Sequence, residues 1–346
     1  MMVMRAKVLL WCASIVVSTA CVDQANPIPG PGQSQPARRL SEMGIFVGPL
    51  AQLQPADGVM AYDVNVPLYS DGAEKQRFLW LPPGTQIHAT DDRWDVPVGA
   101  YFIKNFYVPN DAGDPSRGIR LVETRFLVKQ SDGLTPSTYV WNDEQTDAVV
   151  SGGNVDVPVR WIDDNGDLRD QSFHVPGTSQ CQDCHDDRNL GIRTRQMVRP
   201  GVYSDGTTDQ ISHLIAANRL DAAPPPGLVL SDPLGDAPLD SRARSYLDAN
   251  CAHCHATVGA AHTTGVFWDY DHTDPAHLPL CRSTPTVAGN DHVIVPGHPE
   301  QSEFLSRMLS TDPWVRMPQG PVHVPDVAGI AVLSRWVRDM APEGCR

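Results

Sequence analysis

The sequence predicts a multidomain α+β protein, with an N-terminal β-sandwich-like domain, a short motif-bearing segment and a C-terminal all-α domain. Three observations predict it. Residues 40–176 alternate apolar and polar positions between turn-forming clusters, the period of half-buried strands. The last hundred residues carry apolar stripes at helical spacing instead. A Cys-x-x-Cys-His motif marks each part, as Cys181-Gln182-Asp183-Cys184-His185 after the last strand and as Cys251-Ala252-His253-Cys254-His255 after the first C-terminal helix.

Taken in order, residues 1–20 read as an export signal. Arg5 and Lys7 give the positive end, and Val8 to Val17 form an apolar core too short to span a bilayer. Ser18-Thr19-Ala20 then precede Cys21, which resembles the lipobox of bacterial lipoproteins, although Ser18 stands where an aliphatic residue is usual. Lipidation of Cys21 is favoured, with ordinary cleavage after Ala20 as the competing reading. Either route places the protein outside the cytoplasm, in the periplasm or membrane-anchored and facing it. Residues 21–39 hold Pro27, Pro29, Pro31 and Pro36 among Gly, Gln and Ser, the composition of a flexible tether.

Within the β-rich domain (40–176), Val155, Val157, Val159 and Trp161 alternate with Asp156, Pro158 and Arg160. Pro158 cannot donate to a ladder, which predicts an edge strand. Tyr101 to Val108 and Ile119 to Val128 are longer strands, and Asn110 to Gly118 and Asp163 to Gly166 are turns. His88 and His174 are expected on strand faces. Residues 177–235 hold the first motif, a short helix over Asp209 to Leu220 and a proline-rich linker. Residues 236–346 begin with the stripe Leu239, Ala243, Tyr246 and Leu247. A long loop rich in Thr, His, Asp and Pro follows, and a second helix opens at Pro299 with Phe304, Leu305, Met308 and Leu309 on one face. Met317-Pro318 follows, then a third helix from Pro325.

The chain has 31 Pro and 27 Gly residues, which favours strands, turns and loops over a bundle. Its formal charge of −14 becomes −16 if Arg5 and Lys7 leave with the leader. That argues against a nucleic-acid partner, which needs clustered basic residues.

The motif spacing sets two thiols side by side on one helical turn, where they can add to the two vinyl groups of a porphyrin. The next residue then points an imidazole at the iron. This is c-type haem attachment, and its occurrence twice predicts two haems. Cys181 and Cys184 would attach the first, with His185 as its proximal ligand; Cys251 and Cys254 would attach the second, with His255 below the iron. The competing reading is a zinc site pooling cysteines and histidines from both motifs. Met317, in a polar loop between helices, is expected as the distal ligand of the second haem; Met308 lies on an apolar stripe and belongs to the core. Met197 and His213 are the candidates for the first haem's distal face, and a five-coordinate first site is an alternative. No catalytic residue is assigned. Cys12 leaves with the leader, so Cys281 and Cys345 are the remaining thiols, which most economically form one disulfide in an oxidising compartment.

On these residues, the C-terminal part resembles a class I cytochrome c domain, with Cys251, Cys254, His255 and Met317 in the matching roles. More broadly, the chain is similar to a bacterial family of exported dihaem c-type cytochromes with an N-terminal β-rich region. The strings that carry this are Val66-Pro67-Leu68-Tyr69-Ser70-Asp71, Pro97-Val98-Gly99, Lys104-Asn105-Phe106, Glu123-Thr124-Arg125, Tyr139-Val140-Trp141-Asn142 and Arg242 to Leu247. The resemblance implies electron transfer and a location in the cell envelope. The leading expectation is a non-catalytic electron carrier or the cytochrome subunit of a dehydrogenase, with a dehydrogenase or a terminal acceptor as redox partner. Two alternatives stand beside it. One is a peroxidase-like enzyme with an open site at the first haem. In the other, the β domain binds carbohydrate or protein through Trp80, Trp94 or Tyr107.

Overall fold

Alternating apolar residues fold the first half of the chain into short antiparallel strands. The computed structural model describes residues 37–185, 191–201, 203, 205–272, 279–285, 287–320 and 322–341, the side chains of Asp183 and Cys184 aside. The leader, Cys21, residues 22–36 of the tether and Cys345 lie outside the described residues.

The strands are β1 (Phe46–Val47), β2 (Gln54–Pro55), β3 (Val59–Tyr62), β4 (Glu74–Trp80), β5 (His88–Ala89), β6 (Trp94–Asp95), β7 (Tyr101–Pro109), β8 (Ile119–Gln130), β9 (Gly133–Trp141), β10 (Ala148–Ser151), β11 (Val155–Ile162) and β12 (Leu168–Val175). Six of them form one antiparallel sheet in the order β10-β9-β8-β7-β4-β3. Because side chains alternate across a strand, each strand serves two cores. Phe78, Tyr101, Ile103, Phe126 and Tyr139 pack on one face against Leu40, Ile45 and Leu53 from the chain's start. On the other face, Leu79, Phe102 and Leu127 meet Ile192, Met197, Ile211 and Leu214. Phe106, Val108 and Val122 on that face meet Val159, Trp161, Phe173 and Val175 of the β11–β12 hairpin.

The expected strands, turns and edge position are present. Asn110 N donates to Gly118 O at 2.9 Å, and Gly166 N to Asp163 O at 2.9 Å. Among the described residues β12 is the one strand paired along β11, whose end residue Ile162 also bridges to Asp111, and Pro158 stands opposite Ser172. The architecture among the described residues is one six-stranded sheet with three two-stranded ones, β1–β2, β5–β6 and β11–β12, the last packed on a face of the large sheet.

The helices are α1 (Thr178–Cys184), α2 (Thr194–Met197), α3 (Gln210–Ala216), α4 (Leu239–Asn250), α5 (Glu303–Leu309) and α6 (Val327–Asp339). The expected all-α C-terminal domain does not form, and regular structure in the chain is mostly β. Helices α4, α5 and α6 follow the predicted order, but between α4 and α5 the described residues form turns, isolated bridges and two short 3-10 turns. The cause is local: Pro279, Pro285 and Pro296 cannot continue a helix. Gly265, Gly289 and Gly297 adopt positive φ of 63°, 109° and 80°. The three helices still share one core of Tyr246, Leu247, Leu305, Met308, Ile330, Leu333 and Val337, joined by Val266, Trp268 and Ile294 from the irregular stretch.

Helices α4 and α6 approach closely at Gly329. A Cβ there would stand 2.5 Å from Tyr246 Cζ, nearer still to Cε2, and 2.6 Å from Asp326 Oδ2. Asp326 caps α6 by accepting from Gly329 N at 2.9 Å, and Tyr246 donates its hydroxyl to the same carboxylate at 2.9 Å.

Candidate haem-attachment sites

The second motif closes α4. Cys251 N donates to Leu247 O at 2.8 Å, continuing the helix, and His255 N donates to Cys251 O at 2.9 Å. The two cysteines therefore share one turn, and the histidine leaves its end. Gly259 lets the following chain fold back: a Cβ would sit 2.5 Å from the carbonyl carbon of Cys254, closer to its oxygen. Ala261 N donates to that oxygen at 2.9 Å.

His255 is oriented by the backbone. Its Nδ1 lies 3.3 Å from Val266 O. A carbonyl only accepts, so Nδ1 carries the proton and Nε2 presents a lone pair, the form that ligates a metal. Burial holds the imidazole's pKa below its ordinary value, which also favours the neutral ring. Burial pushes the free Cys251 thiol up to about 12, so it stays protonated. His253 is partly exposed, as a motif position without an assigned contact can be.

Met317 sits in the loop between α5 and α6, partly exposed, before a cis bond to Pro318. Its N–H donates to Arg307 O at 3.0 Å, and Arg307 Nε donates to Val315 O at 2.8 Å, so α5 anchors the loop. The Arg307 charge is also felt at His255. Met308 is buried in the shared core. The donor set on this side is two thiols on one turn, an imidazole with a bare Nε2 and a thioether outside the core. Those groups fit a covalently attached haem.

The first motif repeats the backbone geometry. Cys181 N donates to Gly177 O at 3.1 Å, and His185 N to Cys181 O at 2.9 Å. Helix α1 carries the motif and packs against β9. Met197 is fully buried, with Gln210 Nε2 3.6 Å from its sulfur. His213 Nδ1 lies 2.8 Å from Asp205 Oδ2, and its ring stacks 4.1 Å from that of Tyr203. Both residues thus have other partners, and neither is brought to His185 by a described contact.

Among the described residues no group of three or more His, Cys, Asp or Glu side chains could hold a metal ion. Cys281 is disulfide-bonded; its expected partner Cys345 lies outside the described residues. His88 and His174 face carboxylates, Asp221 at 2.7 Å and Asp156 at 2.8 Å. Trp94 is buried, and Trp80 packs edge-on against Tyr101 with centroids 5.4 Å apart.

Sequence reasoning did not anticipate how the β region reaches the second motif. Tyr69 N donates to Asn250 Oδ1 at 2.8 Å, one residue before Cys251. Asp71, buried and at φ +50°, accepts from His323 N at 2.8 Å and Val324 N at 2.9 Å, just beyond the Met317 loop. Burial raises the Asp71 pKa, and the two backbone donors pull it back. Arg193 bridges the same two regions, pairing with Asp92 at 3.0 Å and with Asp248 of α4. The one sequence signal was the Ser70-Asp71-Gly72 turn.

No family model, curated protein or solved structure matches the chain.

Proposed function

We propose that the chain is a dihaem c-type cytochrome that carries electrons in the bacterial cell envelope. One observation carries the reading most directly. Two Cys-x-x-Cys-His motifs fold into the same turn, and at the second the imidazole is held with Nε2 available. The haem would supply one-electron redox chemistry. The protein's part is attachment by Cys181, Cys184, Cys251 and Cys254, and proximal ligation by His185 and His255. Met317 would take the opposite face of the second haem, a ligand set that raises reduction potential relative to two histidines. The Val266 carbonyl fixes the ring of His255, and Arg307 fixes the loop of Met317. Under this reading a redox protein docks on the chain, and Cys21 anchors it if lipidated; no helix among the described residues is long and apolar enough to cross a membrane.

The test is an alkaline pyridine spectrum of protein produced with a cytochrome c maturation system. Two c-type haems per chain are expected, with one lost on Cys181→Ala/Cys184→Ala and the other on Cys251→Ala/Cys254→Ala. A chain that matures without covalent haem would overturn the proposal. Mass analysis of the mature N-terminus then reads whether Cys21 carries lipid.

A further inference from the structure

The two motif-bearing parts of the chain also meet at a pair of histidines. His174 lies on β12, whose chain runs through Pro176 and Gly177 straight into α1 and the first motif. His323 lies in the segment between Met317 and α6. Their rings stack with centroids 5.1 Å apart and planes inclined by 30°. Each residue is held from its own side. Asp156 stands opposite His174 on β11, with Oδ1 2.8 Å from His174 Nδ1. His323 is fixed by its backbone. Its N–H donates to both oxygens of Asp71, at 2.8 and 3.0 Å, and the N–H of Val324 donates to the same carboxylate at 2.9 Å.

This contact suits a neutral His323 and not a charged one. The charged and titratable groups facing it are Arg316 on its own segment, Asp71 from the loop before β4, His174 of β12 and Asp156 of β11. Arg316 repels a cation at His323 always, and His174 does so whenever it carries a proton. The two carboxylates are already engaged, Asp71 by two backbone donors and Asp156 by His174. Burial, then the Arg316 charge, hold the His323 imidazole below its ordinary value; His174 adds to this, while Asp71 and Asp156 offset part of it.

A histidine ring freed into water titrates near about 6.5. The docked ring takes its proton only at lower pH. Undocking is therefore favoured as pH falls through the ordinary value, and the effect levels off below the docked one. Asp71 has the opposite sign, because burial favours its neutral form in the docked state. Release on acidification is thus the signature of the histidine.

We propose that the stack of His174 on His323 is a proton-operated latch between the β11–β12 hairpin and the segment joining Met317 to α6, closed while His323 is neutral and released when it is protonated. The latch needs no haem. It joins the chain entering the first motif to the chain leaving Met317.

The test is hydrogen exchange of the full chain, read at the His323 and Val324 amides, whose bonds to Asp71 break when the segment undocks. Protection, corrected for intrinsic exchange, should fall by up to about tenfold from pH 7.5 to pH 5.5, the factor by which a free ring titrating near 6.5 is favoured over one that stays neutral. His323→Phe keeps an aromatic ring without a titrating nitrogen, and its protection should stay level over that range. His174→Ala removes the ring on which His323 stacks, and should lower protection already at pH 7.5. Level protection in the wild type overturns the latch, and so does a fall that persists undiminished in His323→Phe. Full protection at pH 7.5 in His174→Ala overturns it too. Should a variant fail to fold, the wild type decides alone: the His323 ring, followed by NMR, should titrate below about 6.5, and a midpoint at or above that value overturns the latch.

Discussion

Replacing Gly329 with alanine sets two effects of opposite sign against each other. Alanine is the better helix former, and in an exposed helix the change would stabilise by up to about 1 kcal/mol. Here the added methyl would stand 2.5 Å from Tyr246 Cζ and 2.6 Å from Asp326 Oδ2, whereas carbon atoms rest about 3.5–4.0 Å apart. The ring cannot rotate away freely, because its hydroxyl is tied to the Asp326 carboxylate that also caps α6. Helices α4 and α6 must separate by on the order of 1 Å, or the cap must break. Overpacking of this kind costs about 1–3 kcal/mol, so a net loss of about 1–2 kcal/mol remains. In urea, with a slope of about 2 kcal/mol per molar, the midpoint should fall by roughly 0.5–1 M. Near-ultraviolet circular dichroism is the suitable probe, because Trp268 and Trp336 lie in the same core. The double variant Gly329→Ala/Tyr246→Ala should lose less than the sum of the single losses. An unchanged or raised midpoint for Gly329→Ala would refute the close crossing.

Three further outcomes follow from the same structure. Asp71→Ala should destabilise far more than Asp71→Asn, since alanine loses both backbone bonds, at about 1–3 kcal/mol each, and fits φ +50° poorly. Because burial raises the folded-state pKa of Asp71, its contribution is fullest below the unfolded value of 3.8 and falls as pH rises through the folded value, so Asp71→Asn should gain on wild type across that rise in urea titrations at stepped pH. Met308→Ala should lose about 2–5 kcal/mol and Met317→Ala little; on the proposed dihaem reading, Met317→Ala alone should also abolish a sulfur-to-iron absorption of the oxidised protein. Peptide mapping without reductant should join the Cys281 peptide to that of Cys345; a free Cys345 would contradict the pairing.

The sequence was most legible where one local rule decides the outcome. Alternation located β7, β8 and β11, Pro158 marked an edge strand, and each motif closed in the turn its spacing requires. Met308 lay on a stripe and is buried; Met317 lay off any stripe and is not. What local rules missed was long-range. The stripes of α4, α5 and α6 suggested an all-α domain with a plain loop between its first two helices, yet Val266 and Trp268 from that irregular stretch complete the core. Strand periods also gave no hint that His174 and His323 would stack, because that contact joins residues far apart in the chain.

The loop from Leu68 to Asp71 bears on how this chain can be divided. It supplies a donor to Asn250 and a carboxylate to His323 and Val324, just before the second motif and just beyond the Met317 loop. A fragment cut at residue 236 would keep both motif cysteines and Met317. It would also leave the Asn250 amide and two backbone N–H groups without the partners that hold them. As a piece for transplanting into another protein, the C-terminal region is thus incomplete, and the smallest graftable unit includes the Ser70-Asp71-Gly72 turn and the strands that carry it.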